Sequence, residues 1–142
     1  RKAMVTATGR TKDGARTYHV RYTLTNTLTE AEQATCNWYI LGGVQSGVDG
    51  QIVGGSGISV QRMLFYAPAG GTIGDITSTG DVKDQRTTTM DGQNVTTNVA
   101  YLEPGKSVTF EFDVTTSTKA KTDLTIDQSP SGKMTNDVDY HY

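Results

Sequence analysis

Cysteine and proline are scarce in this 142-residue sequence, with one and three residues respectively. A lone cysteine, Cys36, excludes an intramolecular disulfide, and a chain of this length needs none, so compartment stays open on that count. No stretch approaches the roughly 18 apolar residues of a transmembrane helix, and there is no secretory leader pattern. The sequence begins at Arg1 rather than methionine, and we expect it to be a piece excised from a longer protein that carries its own targeting segment. A dominant charge is missing too. The formal net charge is −2, and basic residues are scattered apart from Arg1/Lys2 and Lys119/Lys121. That gives no electrostatic basis for binding nucleic acid.

What is plentiful is threonine and glycine, the latter numbering sixteen. With about a third of residues apolar, this is the composition of many strands with polar outer faces, joined by glycine turns. The length suits one domain, residues 1–142, with one core.

The clearest register lies in Tyr101–Val114. There Val108, Phe110, Phe112 and Val114 alternate with Thr109, Glu111 and Asp113, the period of a strand with one buried face. Pro104-Gly105 makes a tight turn before it. Asp13-Gly14 predicts a hairpin between residues 3–10 and 15–26, with Tyr18, Val20, Tyr22 and Leu24 on one face. Asp91-Gly92 predicts a second hairpin between 82–90 and 93–102, whose first arm is polar enough for a sheet edge. Thr29 and Glu32 have capping-box spacing, so a helical turn or two should follow.

Further strands are expected at Trp38–Leu41, at Ile58–Ala67 and around Ile73 and Ile76, with a last one through Leu124 and Ile126. Val138 and Tyr140 alternate only weakly. In Ile58–Ala67, Val60, Leu64 and Tyr66 share one face and Met63 and Phe65 the other, which suggests a central strand or one partly covered by a partner. The sum is an all-β, antiparallel, immunoglobulin-like β-sandwich of about eight or nine strands with at most one short helix.

Motifs for chemistry are weak. Gly105-Lys106-Ser107 fails as a P-loop because Ala100 stands where a glycine is needed and a strand follows. Ser56 fails as a nucleophile elbow because Ile58 replaces the second glycine. Cys36 with His19 or His141 could form a thiol–imidazole pair, but a small residue near a tryptophan more often packs. Asp137, Asp139 and His141, with Asp75, Asp81, Asp84 and Asp91 near turns, lack the looped series of a calcium site. A Lys2–Asn136 isopeptide cross-link would need Glu111 as its acid, and Glu111 faces outward in its strand. No cofactor or metal is expected, and no catalytic residue.

The remaining candidates are aromatic. Trp38, Tyr39, Tyr66 and Tyr140 could stack on sugars, and Gly42–Gly57 is a glycine-rich loop, or small hairpin on Asp49-Gly50, of the kind where binding sits. Trp38, Tyr39 and Asp49 are therefore the candidate ligand-binding residues.

Several segments recur in one order: Tyr22-Thr23-Leu24-Thr25-Asn26, Trp38–Gly43, Arg62–Gly71, Tyr101–Phe112 and Leu124–Pro130. They resemble the C-terminal region of a large uncharacterised family of Gram-positive, mostly actinobacterial, cell-envelope proteins. There an L-T-N strand, a Y-x-x-G-G segment, a Y-x-P-x-G strand end and an L-x-P-G-x-S turn recur. The family's Q-x-P-G-like ending reads Gln128-Ser129-Pro130-Ser131 here, one departure. The resemblance implies a membrane-anchored protein that displays this domain outside the cell, with no chemistry to carry over. The expected role is a noncatalytic adhesion, assembly or spacer module with a protein or glycan partner at the cell surface. The alternative is a carbohydrate-binding module using Trp38, Tyr39 and the Gly42–Gly57 loop.

Overall fold

The computed structural model describes residues 1–47, 49–130 and 137–142. The first hairpin forms as its turn dictates. β1 (Lys2–Arg10) and β2 (Arg16–Thr25) pair antiparallel. Between them the Gly14 N–H donates to the Thr11 carbonyl at 3.0 Å, with Gly14 at φ +92°. In that region an L side chain would be strained. α1 (Glu30–Thr35) starts on the predicted capping box. The Thr29 hydroxyl accepts from the Glu32 N–H, and the Glu32 carboxylate accepts from the Thr29 N–H.

Two two-residue strands, β3 (Val44–Gln45) and β4 (Ile52–Val53), form a small hairpin within the glycine-rich loop. β5 (Ser59–Tyr66) follows, then the short β6 (Thr72–Ile73) and β7 (Thr77–Ser78). β8 (Asp81–Met90) and β9 (Gln93–Leu102) form the Asp91-Gly92 hairpin, both turn residues having positive φ. Glu103–Lys106 then makes the Pro-Gly turn, with the Lys106 N–H on the Glu103 carbonyl at 3.0 Å. The last strands are β10 (Ser107–Thr115) and β11 (Asp137–His141).

The protein is mostly β, arranged in several sheets. The largest runs β11-β1-β2-β10-β6, with β7 also on β10; a second runs β5-β9-β8; the β3-β4 hairpin is the third. The Pro-Gly turn carries the chain from the second sheet into the first. Inner faces of the two larger sheets share one core. Val5, Tyr18, Val20, Val108 and Phe110 come from one side and Ala100 and Leu102 from the other. The β10 register is as predicted: Val108, Phe110, Phe112 and Val114 are all buried. Burying each phenylalanine contributes about 1.5–3 kcal/mol by transfer.

Four expectations need correction. Trp38–Leu41 is a turn, not a strand. The Asn37 side chain accepts from the Tyr39 N–H, and the Leu41 and Gly43 N–H groups return to Asn37 and Trp38 carbonyls. A local asparagine-capped turn thus takes the backbone bonds that a strand would need.

β5 is not central. Among the described residues it pairs only with β9, and Val60, Leu64 and Tyr66 remain 56%, 41% and 51% exposed. The segment through Leu124 and Ile126 is an extended strap without strand pairing, although both side chains pack on the core. Side chains hold its backbone instead: Tyr142 Oη donates to the Leu124 carbonyl at 2.5 Å, and the Ile126 N–H donates to Tyr140 Oη at 3.1 Å. Finally, the sheets are not wholly antiparallel, because β11 lies parallel to β1.

Candidate functional site

The candidate ligand-binding residues fall on one stretch of chain, Trp38 and Tyr39 in the Asn37 turn and Asp49 in the turn of the β3-β4 hairpin. Asn26 anchors its end of the fold, donating from Nδ2 to the Gly57 and Leu102 carbonyls at 2.8 and 2.9 Å. The Gly57 N–H reaches the Leu41 carbonyl at 3.1 Å, and Gln33 Nε2 reaches the Ser56 carbonyl at 2.8 Å. The loop is therefore held to β2, α1 and β9 at its base.

Its tip is apolar. Tyr39 and Ile40 are 73% and 72% exposed, and Val44, Ile52 and Val53 are exposed beside them in sequence and on the β3-β4 hairpin. Trp38 packs its ring edge-on to Tyr39, with centroids 6.1 Å apart and planes at 88°. Two perpendicular rings share no plane, so the pair does not make a two-ring platform. A tight approach supports Trp38 from below: a Cβ on Gly43 would stand 2.7 Å from the Trp38 carbonyl oxygen and 3.2 Å from the Gly55 Cα.

Asp49 serves the hairpin turn. Hydrogen bonds from the Ser46 side chain and then from the Gln51 N–H hold its carboxyl below the usual range. Those bonds commit its oxygens to the turn. An incoming ligand would meet them only in competition with Ser46 and Gln51.

The other candidates are dispersed. Tyr66 stands on β5, while Tyr140 on β11 stacks with Tyr142 at 5.5 Å. No ring contact among the described residues joins either to Trp38. Cys36 caps α1 through its N–H, which donates to the Glu32 carbonyl at 2.8 Å, and its thiol bonds to neither histidine. His19 Nδ1 instead faces Asp113 Oδ1 at 2.8 Å. Asp137, Asp139 and His141 alternate along β11, and no three such side chains converge on a metal-sized site among the described residues. Lys2 is exposed and Glu111 pairs with Arg21 at 3.2 Å, while Asn136 lies outside the described residues.

One feature has no sequence motif. A cavity of about 560 Å³ opens between β5 and the strap, walled by Met63, Phe65, Val20, Phe112, Leu124 and Ile126. The sequence marked β5 as apolar on both faces and the strap as apolar on one, but not that the two would stand apart across a gap. No family model, no curated protein and no solved structure matches this chain.

Proposed function

We propose that the chain is a noncatalytic, extracytoplasmic module with an immunoglobulin-like β-sandwich fold, forming a single domain of a membrane-anchored Gram-positive cell-envelope protein. Its role is adhesion, assembly or spacing. The sandwich reading is supported by two sheets that share one core and by the Pro-Gly crossing between them. The compartment rests on the ordered segments that resemble envelope proteins.

The binding role rests on one observation: the exposed Tyr39, Ile40, Val44 and Val53 at the loop tip. Exposed apolar side chains on an anchored loop favour contact with a partner that buries them. Perpendicular Trp38 and Tyr39 rings favour a protein surface over a flat sugar; the glycan reading retains the exposed ring of Tyr39. Labelled protein is expected to bind intact Gram-positive cells, with binding lost in Tyr39→Ala/Ile40→Ser. Equal binding by wild type and double variant would overturn the role of the tip. Retention on a glycan array that disappears in Tyr39→Ala would select the carbohydrate alternative.

A further inference from the structure

β5 has an open edge whose polarity can be read bond by bond. The Ala67 N–H donates to the Asn94 carbonyl directly opposite, continuing the β5-β9 register. In an antiparallel pair, residues exchanging both bonds alternate with residues that exchange none. Odd-numbered residues of β5 therefore bond to β9. Val60, Arg62, Leu64 and Tyr66 turn their N–H and C=O groups to the other side, where no strand lies among the described residues.

Other exposed edges are protected. β8 is interrupted by a bulge between Lys83 and Arg86, with Asp84 at φ +56°, and its first six residues carry four charges. β11 is five residues long and bears two aspartates. Such devices block unwanted pairing. β5 has eight residues, no bulge and one charge, Arg62. The cavity between β5 and the strap lies beside this edge.

We propose that the β5 edge and its cavity form a strand-acceptor site for an extended peptide segment of another protein. The peptide adds to the sheet beside β5. Its backbone completes the open hydrogen bonds, and its alternate apolar side chains enter the cavity against Phe112 and Ile126. Arg62 makes no ion pair among the described residues, so a carboxylate on the peptide's solvent-facing side complements it.

A second copy is the poorer occupant. Its inward side chains on β5 are already engaged, Phe65 lying 5.2 and 5.3 Å from the Phe110 and Phe112 rings of its own core. Two β5 strands would meet at their edges and leave both cavities unfilled. The site is separate from the loop tip and does not depend on where the protein resides.

The test is selection from a displayed library of random nine-residue peptides against the whole chain, followed by amide hydrogen exchange on the wild type. Enriched peptides should alternate apolar and polar residues, carry Asp or Glu, and slow exchange at Val60, Arg62, Leu64 and Tyr66. Leu64→Pro removes an outward N–H that β9 does not use, and proline is tolerated on edge strands. It should weaken binding roughly tenfold or more, against little change in Leu64→Thr. Arg62→Glu should reverse the selection toward basic peptides. No enriched peptide, or peptides that leave those four amides unprotected, would overturn the proposal. Concentration-dependent protection of the same amides without peptide would overturn it in favour of a second copy.

Discussion

Asn98 Nδ2 donates to Gln85 Oε1 at 3.3 Å across the β8 bulge, and Gln85 Nε2 passes the interaction on to the Ile76 carbonyl at 3.0 Å. The bulge between Lys83 and Arg86 sets Asp84 and Gln85 opposite Asn98, so the exposed Gln85 still reaches an Asn98 that is 1% exposed. Asn98 Oδ1 has no partner among the described residues. A carboxylate in this position would be buried, and desolvation would raise its pKa. Asn98→Asp is therefore expected to destabilise the fold by at least about 2 kcal/mol at pH 7. The penalty should vanish below about pH 3.9, where the acid is neutral folded and unfolded, and grow as pH rises toward the raised folded value. Urea titrations of both proteins at pH 3.5 and 7 measure this; an equal gap at the two pH values would refute it.

Phe110 is completely buried, whereas the neighbouring Thr109 offers its hydroxyl to Thr23 at 3.0 Å on the outer face. Phe110→Ala should cost about 3–5 kcal/mol. Thr109→Ala should cost about 0.5–1.5 kcal/mol, the worth of one hydrogen bond. Comparable midpoint shifts in urea would contradict the β10 register.

The Glu32 carboxyl sits below its usual value because the Thr29 backbone N–H, and then the Thr29 hydroxyl, hydrogen-bond to its charged form. A depressed folded pKa stabilises above the unfolded value, about 4.3 for glutamate, and that stability is lost as pH falls through the folded value. Glu32→Gln should accordingly flatten this part of the acid limb of a stability–pH profile between pH 6 and 3. An unchanged limb would show that the capping box does not persist in solution.

Trp38 is the sole tryptophan, which makes its fluorescence a reporter of the loop. Gly43→Ala forces a methyl against the Trp38 carbonyl and ring, while a Cβ at Gly47 meets nothing within 4 Å. Emission should shift in Gly43→Ala and stay constant in Gly47→Ala. The urea midpoint should move little in either variant if the loop is peripheral to the core. Identical spectra for all three proteins would count against the close approach.

The strap from residue 121 to 130 is tied down by side chains rather than by a ladder, including Tyr22 Oη on Gln128 Oε1 at 3.0 Å. Local opening should therefore release it well before β9 or β10. Amides of the strap are expected to exchange much faster than those of β10, and faster still in Tyr142→Phe. Protection matching β10 would mean that the strap belongs to the global unfolding unit.

Strong alternation and turn chemistry explain what was legible in advance. Asp13-Gly14, Asp91-Gly92 and Pro104-Gly105 each impose a backbone geometry with few competitors, and each turn forms where expected. Alternation at Leu124 and Ile126 correctly marked a buried face. It could not reveal whether a neighbouring strand or tyrosine hydroxyls would satisfy the backbone. Apolar residues on both faces of β5 suggested burial, because the sequence pattern of a covered strand and of an open apolar edge is the same. At Trp38–Leu41, high strand propensity yielded to the Asn37 turn. Glycine density marked the Gly42–Gly57 loop and aromatic character marked Trp38 and Tyr39, whereas the β5 cavity depends on the separation of two distant segments.

The parallel pairing of β1 and β11, from Lys2 beside Asp137 to Thr6 beside His141, has a mechanical consequence. A force applied between residues 1 and 142 draws the two strands along their axis in opposite directions. Their hydrogen bonds then carry the load together, in shear. Pulling instead between residues 1 and 25 would peel β1 from β2 one bond at a time. Single-molecule pulling along these two axes should show the higher rupture force for the first, giving the fold a grip that strengthens in one direction of tension.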